Sequence, residues 1–104
     1  MESFDIFIAY IEWEGNGKTR PVLVMERSEK IFKVFSITTQ YKSKSVNIRA
    51  KYLKIKDWKQ AGLDKQSYID TNQKIDLPDS IVSGKSPIGR LTEKDKLALL
   101  AFIK

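Results

Sequence analysis

The chain has 104 residues, 41% of them hydrophobic and 11% aromatic, enough for one globular domain over 1–104 and too apolar for intrinsic disorder. It contains no cysteine and no histidine, which excludes disulfides, thiolate nucleophiles and imidazole proton transfer and removes the usual zinc ligands. No metal and no cofactor are expected, and the net charge of +6 makes polyanions natural partners.

In chain order, the opening Met1-Glu2-Ser3-Phe4-Asp5 has no basic region followed by a long apolar run, so no signal peptide is expected. No apolar stretch approaches the ~20 residues of a membrane span, so the expected location is cytoplasmic, away from any membrane. Residues 4–13 hold Phe4, Ile6, Phe7, Ile8, Tyr10, Ile11 and Trp13 and predict a long, largely buried strand. Gly15-Asn16-Gly17 is a turn signal, because glycine and asparagine tolerate positive φ. A second strand is predicted over 21–26, with Pro21 at its start or edge since proline cannot donate to a ladder. After a charged turn, 31–39 predict a third strand. Its alternation sets Phe32, Val34, Ser36 and Thr38 on one face and Lys33, Phe35 and Ile37 on the other.

Between positions 42 and 59 lie Lys42, Lys44, Arg49, Lys51, Lys54, Lys56 and Lys59, opposed only by Asp57, with Tyr41, Tyr52 and Trp58 nearby. Cations among aromatic rings suit single-stranded nucleic acid; a solvated lysine-rich surface has the same composition. A fourth strand is predicted over 50–55. A helical turn is expected over 57–63, capped by Asp57 and ended by a left-handed Gly62. Short strands are predicted over 67–71 and 88–91, and one helical turn over 79–82. Thr92-Glu93-Lys94-Asp95 resembles a capping box with Asp in place of Glu. It opens a terminal helix whose Leu97, Leu99, Leu100, Ala101, Phe102 and Ile103 form an apolar face for a sheet or a second subunit. Many short strands, close turns and one terminal helix predict a mainly β fold, a small barrel, which by itself fits many functions.

Three segments together resemble the PemK/MazF family of toxins. They are Gly17-Lys18-Thr19-Arg20-Pro21-Val22-Leu23-Val24, Ser36-Ile37-Thr38-Thr39-Gln40, and the stretch from Asp57-Trp58 through Ala61-Gly62-Leu63 to Ser67-Tyr68-Ile69. Ile88-Gly89-Arg90-Leu91-Thr92 is similar to the family's close before its last helix. The resemblance implies an SH3-like (PemK/MazF-type) barrel with short helical turns and a C-terminal α-helix, usually as a homodimer. It implies the toxin of a type II toxin–antitoxin pair: a metal-independent endoribonuclease that cleaves single-stranded RNA and leaves a 2′,3′-cyclic phosphate and a 5′-hydroxyl. The implied partners are RNA, a short acidic antitoxin, and operator DNA for the toxin–antitoxin complex.

The resemblance carries over Arg20 and Thr38 as the catalytic pair. A planar bidentate guanidinium stabilises the added charge of a pentacoordinate phosphorus, and Thr38 would hold a phosphate oxygen. Glu14, near Arg20, is the candidate for taking the 2′-hydroxyl proton or orienting Arg20. Lys18, Thr19, Gln40, Lys42, Lys44 and Arg49 are the expected RNA contacts. Without the family match, Arg20 reads as an ion-pair partner and Thr38 as a β-former. Trp58 is expected to be a core plug, while Trp13 could stack on RNA or plug the core. The chain departs from the family pattern in having Phe4 where a glycine is common, in lacking a proline at the end of the first strand, and in placing Asp70 in a strand. A non-catalytic SH3-like nucleic-acid-binding module is the alternative, and a barrel that poisons a protein target is a third reading.

Overall fold

A computed structural model describes residues 1–13 and 15–104, with the Trp13 side chain outside the description. The chain is mainly β, a curled six-stranded antiparallel half-barrel. Strands β1 (Asp5–Trp13), β2 (Asn16–Arg27), β3 (Ile31–Thr38), β4 (Tyr52–Lys54), β5 (Tyr68–Pro78) and β6 (Gly89–Arg90) stand in the order β4-β5-β3-β2-β1-β6. Three helices, α1 (Val46–Arg49), α2 (Asp79–Val82) and α3 (Glu93–Phe102), complete the described residues.

Several elements differ from the sequence expectation. β2 begins at Asn16, because β1 and β2 pair from Ile6↔Leu23 out to Trp13↔Asn16. Lys18, Thr19 and Arg20 are therefore strand residues, not loop residues. Pro21 lies inside a central strand opposite Ile8, not at its start. The fold accommodates it because the β2–β3 ladder ends at Val22↔Ser36, next to the residue that has no N–H to give. β5 runs on to Pro78 because its pairing with β3 resumes after a break: residues 71–74 oppose Phe35 alone, between Ser36↔Asp70 and Val34↔Ile75. α1 was not expected. It is one turn, with Ser45 Oγ accepting from Ile48 N–H at 3.3 Å.

Alternation along the strands builds two cores, one on each face of the sheet. Ile6, Leu23, Phe35, Ile37 and Ile69 pack with Ala61 from the turn over residues 56–62, with Leu63 just after it, and with Leu99 from α3. Phe7, Ala9, Val22, Val24, Phe32 and Val34 form the second core with Leu77 and Val82. Trp58 packs against the first core, as a structural residue should. Gly62 takes φ +90°, the left-handed conformation expected of it. Phe4 has φ +73°, an αL conformation that a glycine would adopt without strain.

The capping box forms by half. Thr92 Oγ1 accepts from Asp95 N–H at 3.4 Å, but the Asp95 carboxylate reaches away from its own helix. It accepts from the amides of Lys56 at 3.0 Å and Asp57 at 2.8 Å. The Asp57 carboxylate in turn accepts from Thr92 Oγ1 at 2.8 Å, so Asp57 ties the turn to α3 rather than capping the turn itself. No helix among the described residues is long and apolar enough to cross a membrane.

Candidate nucleic-acid interface

The polar half of the second face is set by register. Ser36, Asp70 and Tyr52 stand in one cross-strand row, and Thr38, Tyr68 and Lys54 in the next. Each alternates along its strand with residues of the first core, such as Phe35, Ile37 and Ile69. All six therefore share the face that carries Val22 and Val34. Continued past the last paired residues, the β2–β3 register sets Arg20 across from Thr38.

Where β2 and β3 diverge, a cleft of about 160 Å³ opens between 18–21 and 37–40, with Ser67 also lining it. Five of the residues expected from sequence line it: Lys18, Thr19, Arg20, Thr38 and Gln40. Thr38 is 8% exposed, and its Oγ1 accepts from Gln40 N–H at 3.0 Å. That bond bends the chain out of β3 and fixes the hydroxyl's orientation. Arg20 is half-buried, and its Nη1 donates to Ser36 Oγ at 3.1 Å. Neither chain neighbour nor turn supplies this partner, which comes from the adjacent strand.

Arg20 also walls a second cleft of about 420 Å³, shared with Glu12, Ser36, Lys44, Tyr52, Asp70, Asn72 and Gln73. Burial pushes the Tyr52 phenol above its ordinary pKa, the Asp70 carboxylate pushes it further, and the Arg20 guanidinium pulls it back. Tyr52 thus lies within electrostatic reach of both Asp70 and Arg20. Beyond them, the rings of Tyr41 and Tyr68 stack at 4.3 Å and Tyr52 lies 6.3 Å from Tyr41. The Arg49 guanidinium stands 5.6 Å from the Tyr41 ring centroid, within cation–π range.

Neither a protein-family model nor a curated protein matches the chain.

The expected residues divide into groups. Lys18, Thr19, Arg20, Thr38 and Gln40 converge on the first cleft, Lys44 lines the second, and Arg49 sits on the tyrosine cluster. Lys42 is exposed and lines neither cleft. Glu14 lies outside the described residues. The basic stretch is not one patch, because Lys56 and Lys59 belong to the turn packed on the opposite face. Sequence reasoning missed Ser36, Asp70 and Tyr68 as site residues and marked Tyr52 only as one of the rings among the basic residues. Alternation had already put Ser36 beside Thr38, whereas nothing local linked Asp70 or Tyr52 to Arg20.

Proposed function

We propose that this chain is the toxin of a type II toxin–antitoxin pair, an endoribonuclease built on an SH3-like barrel of the PemK/MazF type. The observation that supports this reading best is the convergence of Arg20, Thr38, Lys18, Thr19 and Gln40 on one cleft, from two strands that part beside Pro21. A cleft of about 160 Å³ lined by two cationic and four hydroxyl-bearing residues suits a phosphate group of an extended strand.

In this reading the 2′-oxygen of the substrate attacks phosphorus as the bond to the 5′-oxygen breaks. A 2′,3′-cyclic phosphate and a 5′-hydroxyl result. Arg20, steadied by Ser36, meets the charge that builds on the phosphoryl oxygens, and the Thr38 hydroxyl donates to one of them. The 2′-hydroxyl proton needs an acceptor, and the departing 5′-oxygen takes up a proton from water. Sequence nominates Glu14; among the described carboxylates, Asp70 and Glu12 share a cleft with Arg20. Asp70, half-buried and directly across from Ser36, is the better placed. Proton transfer by a positioned carboxylate is worth roughly 10²–10⁴-fold, so Asp70→Asn should slow cleavage by about 10²-fold or more.

Incubation of the purified protein with a long unstructured RNA in EDTA tests the reading. Discrete fragments with 5′-hydroxyl ends are expected. Intact RNA across several substrates overturns it in favour of a non-catalytic nucleic-acid-binding module, which the Tyr41–Tyr68 stack and Arg49 would serve equally well. The partners in this reading are a short acidic antitoxin and a second copy of the chain.

A further inference from the structure

β1 outruns its outer neighbour. β6 pairs with it only at Asp5 and Ile6, so one edge of residues 7–13 has no strand beside it among the described residues. One bond fixes the direction of the groups on that edge. Ile88 N–H donates to the Ile6 carbonyl at 2.7 Å, so Ile6 turns its backbone groups away from β2. Ile8, Tyr10 and Glu12, at alternate positions, turn theirs the same way. Pro21 opposite Ile8 agrees with this, since no N–H is needed between those two residues. β5 has a matching edge, which β4 covers only at 68–70. Ser28 N–H donates to the Ile31 carbonyl at 2.9 Å, which turns Ile31 away from its partner Pro78. By the same alternation the Asp76 N–H and C=O point off the outer edge of β5.

The two edges border one cleft of about 340 Å³, between 10–12 and 75–78, with Ile81 of α2 also lining it. We propose that this cleft takes an extended segment of a partner protein, alternately apolar and basic, which adds a strand to the free edge of β1. Strand addition draws affinity from main-chain hydrogen bonds and selectivity from the pockets that meet alternate side chains. Ile8, Tyr10 and Glu12 supply the main-chain donors and acceptors. Natural sheets usually blunt such an edge with lysine, proline or a covering element. From Phe7 to Glu12 there is neither lysine nor proline, and Ile8 and Tyr10 are 37% and 54% exposed. The two faces of the cleft set the partner's alternation. Ile11, Ile75 and Leu77 belong to the second core or pack on it, so every other residue of the segment meets an apolar wall. Glu12 and Asp76, each one residue along, lie on the opposite face. They are the only charged side chains lining the cleft, and both are acidic in a chain of net charge +6. Asp76 shares its charge with Lys33 at 3.0 Å in an exposed pair, which an incoming cation can join. This site uses neither Arg20 nor the first cleft, and so goes beyond the toxin reading.

Two short peptides test it, one alternating valine with lysine and one alternating valine with glutamate. Each is titrated into the protein at about 0.15 M salt, where long-range attraction is screened, with amide proton shifts as the readout. The lysine peptide should bind at least ~10-fold more tightly than the glutamate peptide, against the pull of the chain's net charge. The amide protons of Ile8, Tyr10 and Glu12 should move downfield together as they gain acceptors. Tyr10→Pro should bind the lysine peptide about fivefold more weakly than Tyr10→Ala, which also lacks the ring but keeps the N–H. Glu12→Gln/Asp76→Asn leaves the edge intact and should lose the preference for lysine. Equal binding of the two peptides, or binding without shifts at those three amides, would overturn the proposal. Preference for glutamate would also overturn it and give the cleft to an acidic partner. Shifts that grow with protein concentration alone would assign the edge to a second copy of the chain instead. Failure to cut RNA in EDTA would leave this site standing, since none of these measurements involves RNA.

Discussion

Arg20 is held from the side by Ser36 Oγ at 3.1 Å, so its guanidinium reaches the cleft already aimed. If it stabilises transition-state charge, Arg20→Ala should slow cleavage by ~10²–10³-fold, with a much smaller loss of RNA affinity. Arg20→Lys should not restore the rate, since an ammonium lacks the planar fork. Ser36→Ala removes one hydrogen bond to a charged group and should slow single-turnover cleavage by roughly tenfold while leaving RNA binding intact; an unchanged rate would make Ser36 a bystander. Tyr52 gives a pH prediction. Its folded pKa is raised, so the stability tied to its protonated form is intact below the free phenol value near 10. That stability falls as pH climbs through the higher folded value. Alkaline denaturation of Tyr52→Phe should be less steep above pH 10, and identical curves would count against the shift. Arg20 and Thr38 could be picked out from sequence because each lies in a short motif. Asp70 could not, and Tyr52 stood out only as a ring among basic residues, because both reach Arg20 only through the register Ser36↔Asp70↔Tyr52, which no local pattern encodes.

At the scale of elements, the clefts exist because strands fail to pair. Pro21 stands where β2 and β3 part, and the 71–74 bulge parts β3 from β5. Alternation located β1 and β3 closely, and the 79–82 turn agrees with α2. It could not give the length of β5, because the bulge breaks the period of two halfway along. Nor could it find α1, whose single turn is too short for a helical period. The turn over 56–62 was recognisable from Gly62, and that residue can be tested. At φ +90° a Cβ there would collide with the Ile88 carbonyl. Gly62→Ala should cost at least about 1–2 kcal/mol, lowering Tm by roughly 4–8 °C for each kcal/mol in a domain of this size. A Tm within a degree of the parent would remove the constraint argued here.

For the whole molecule, the two faces have different duties. One packs the 56–62 turn and α3, and the other carries the clefts. Leu99 is fully buried and anchors α3, so Leu99→Ala should cost about 2–5 kcal/mol. The outward side of the helix leaves Leu97 59% exposed, with Leu100, Phe102 and Ile103 also exposed, more apolar surface than a solvated helix normally shows. In the proposed toxin reading that side belongs to a homodimer, and sedimentation at micromolar concentration should give about twice the 12.0 kDa chain mass. A clean monomer would exclude it. The Asp95 carboxylate has a separate consequence for motion. It is the acceptor for the amides of Lys56 and Asp57, which lie far from α3 in sequence. Those two protons can meet solvent only when the start of α3 lets go. In hydrogen–deuterium exchange they should therefore lose protection together with the helix, and Asp95→Ala should release them alone, long before the rest of α3 opens.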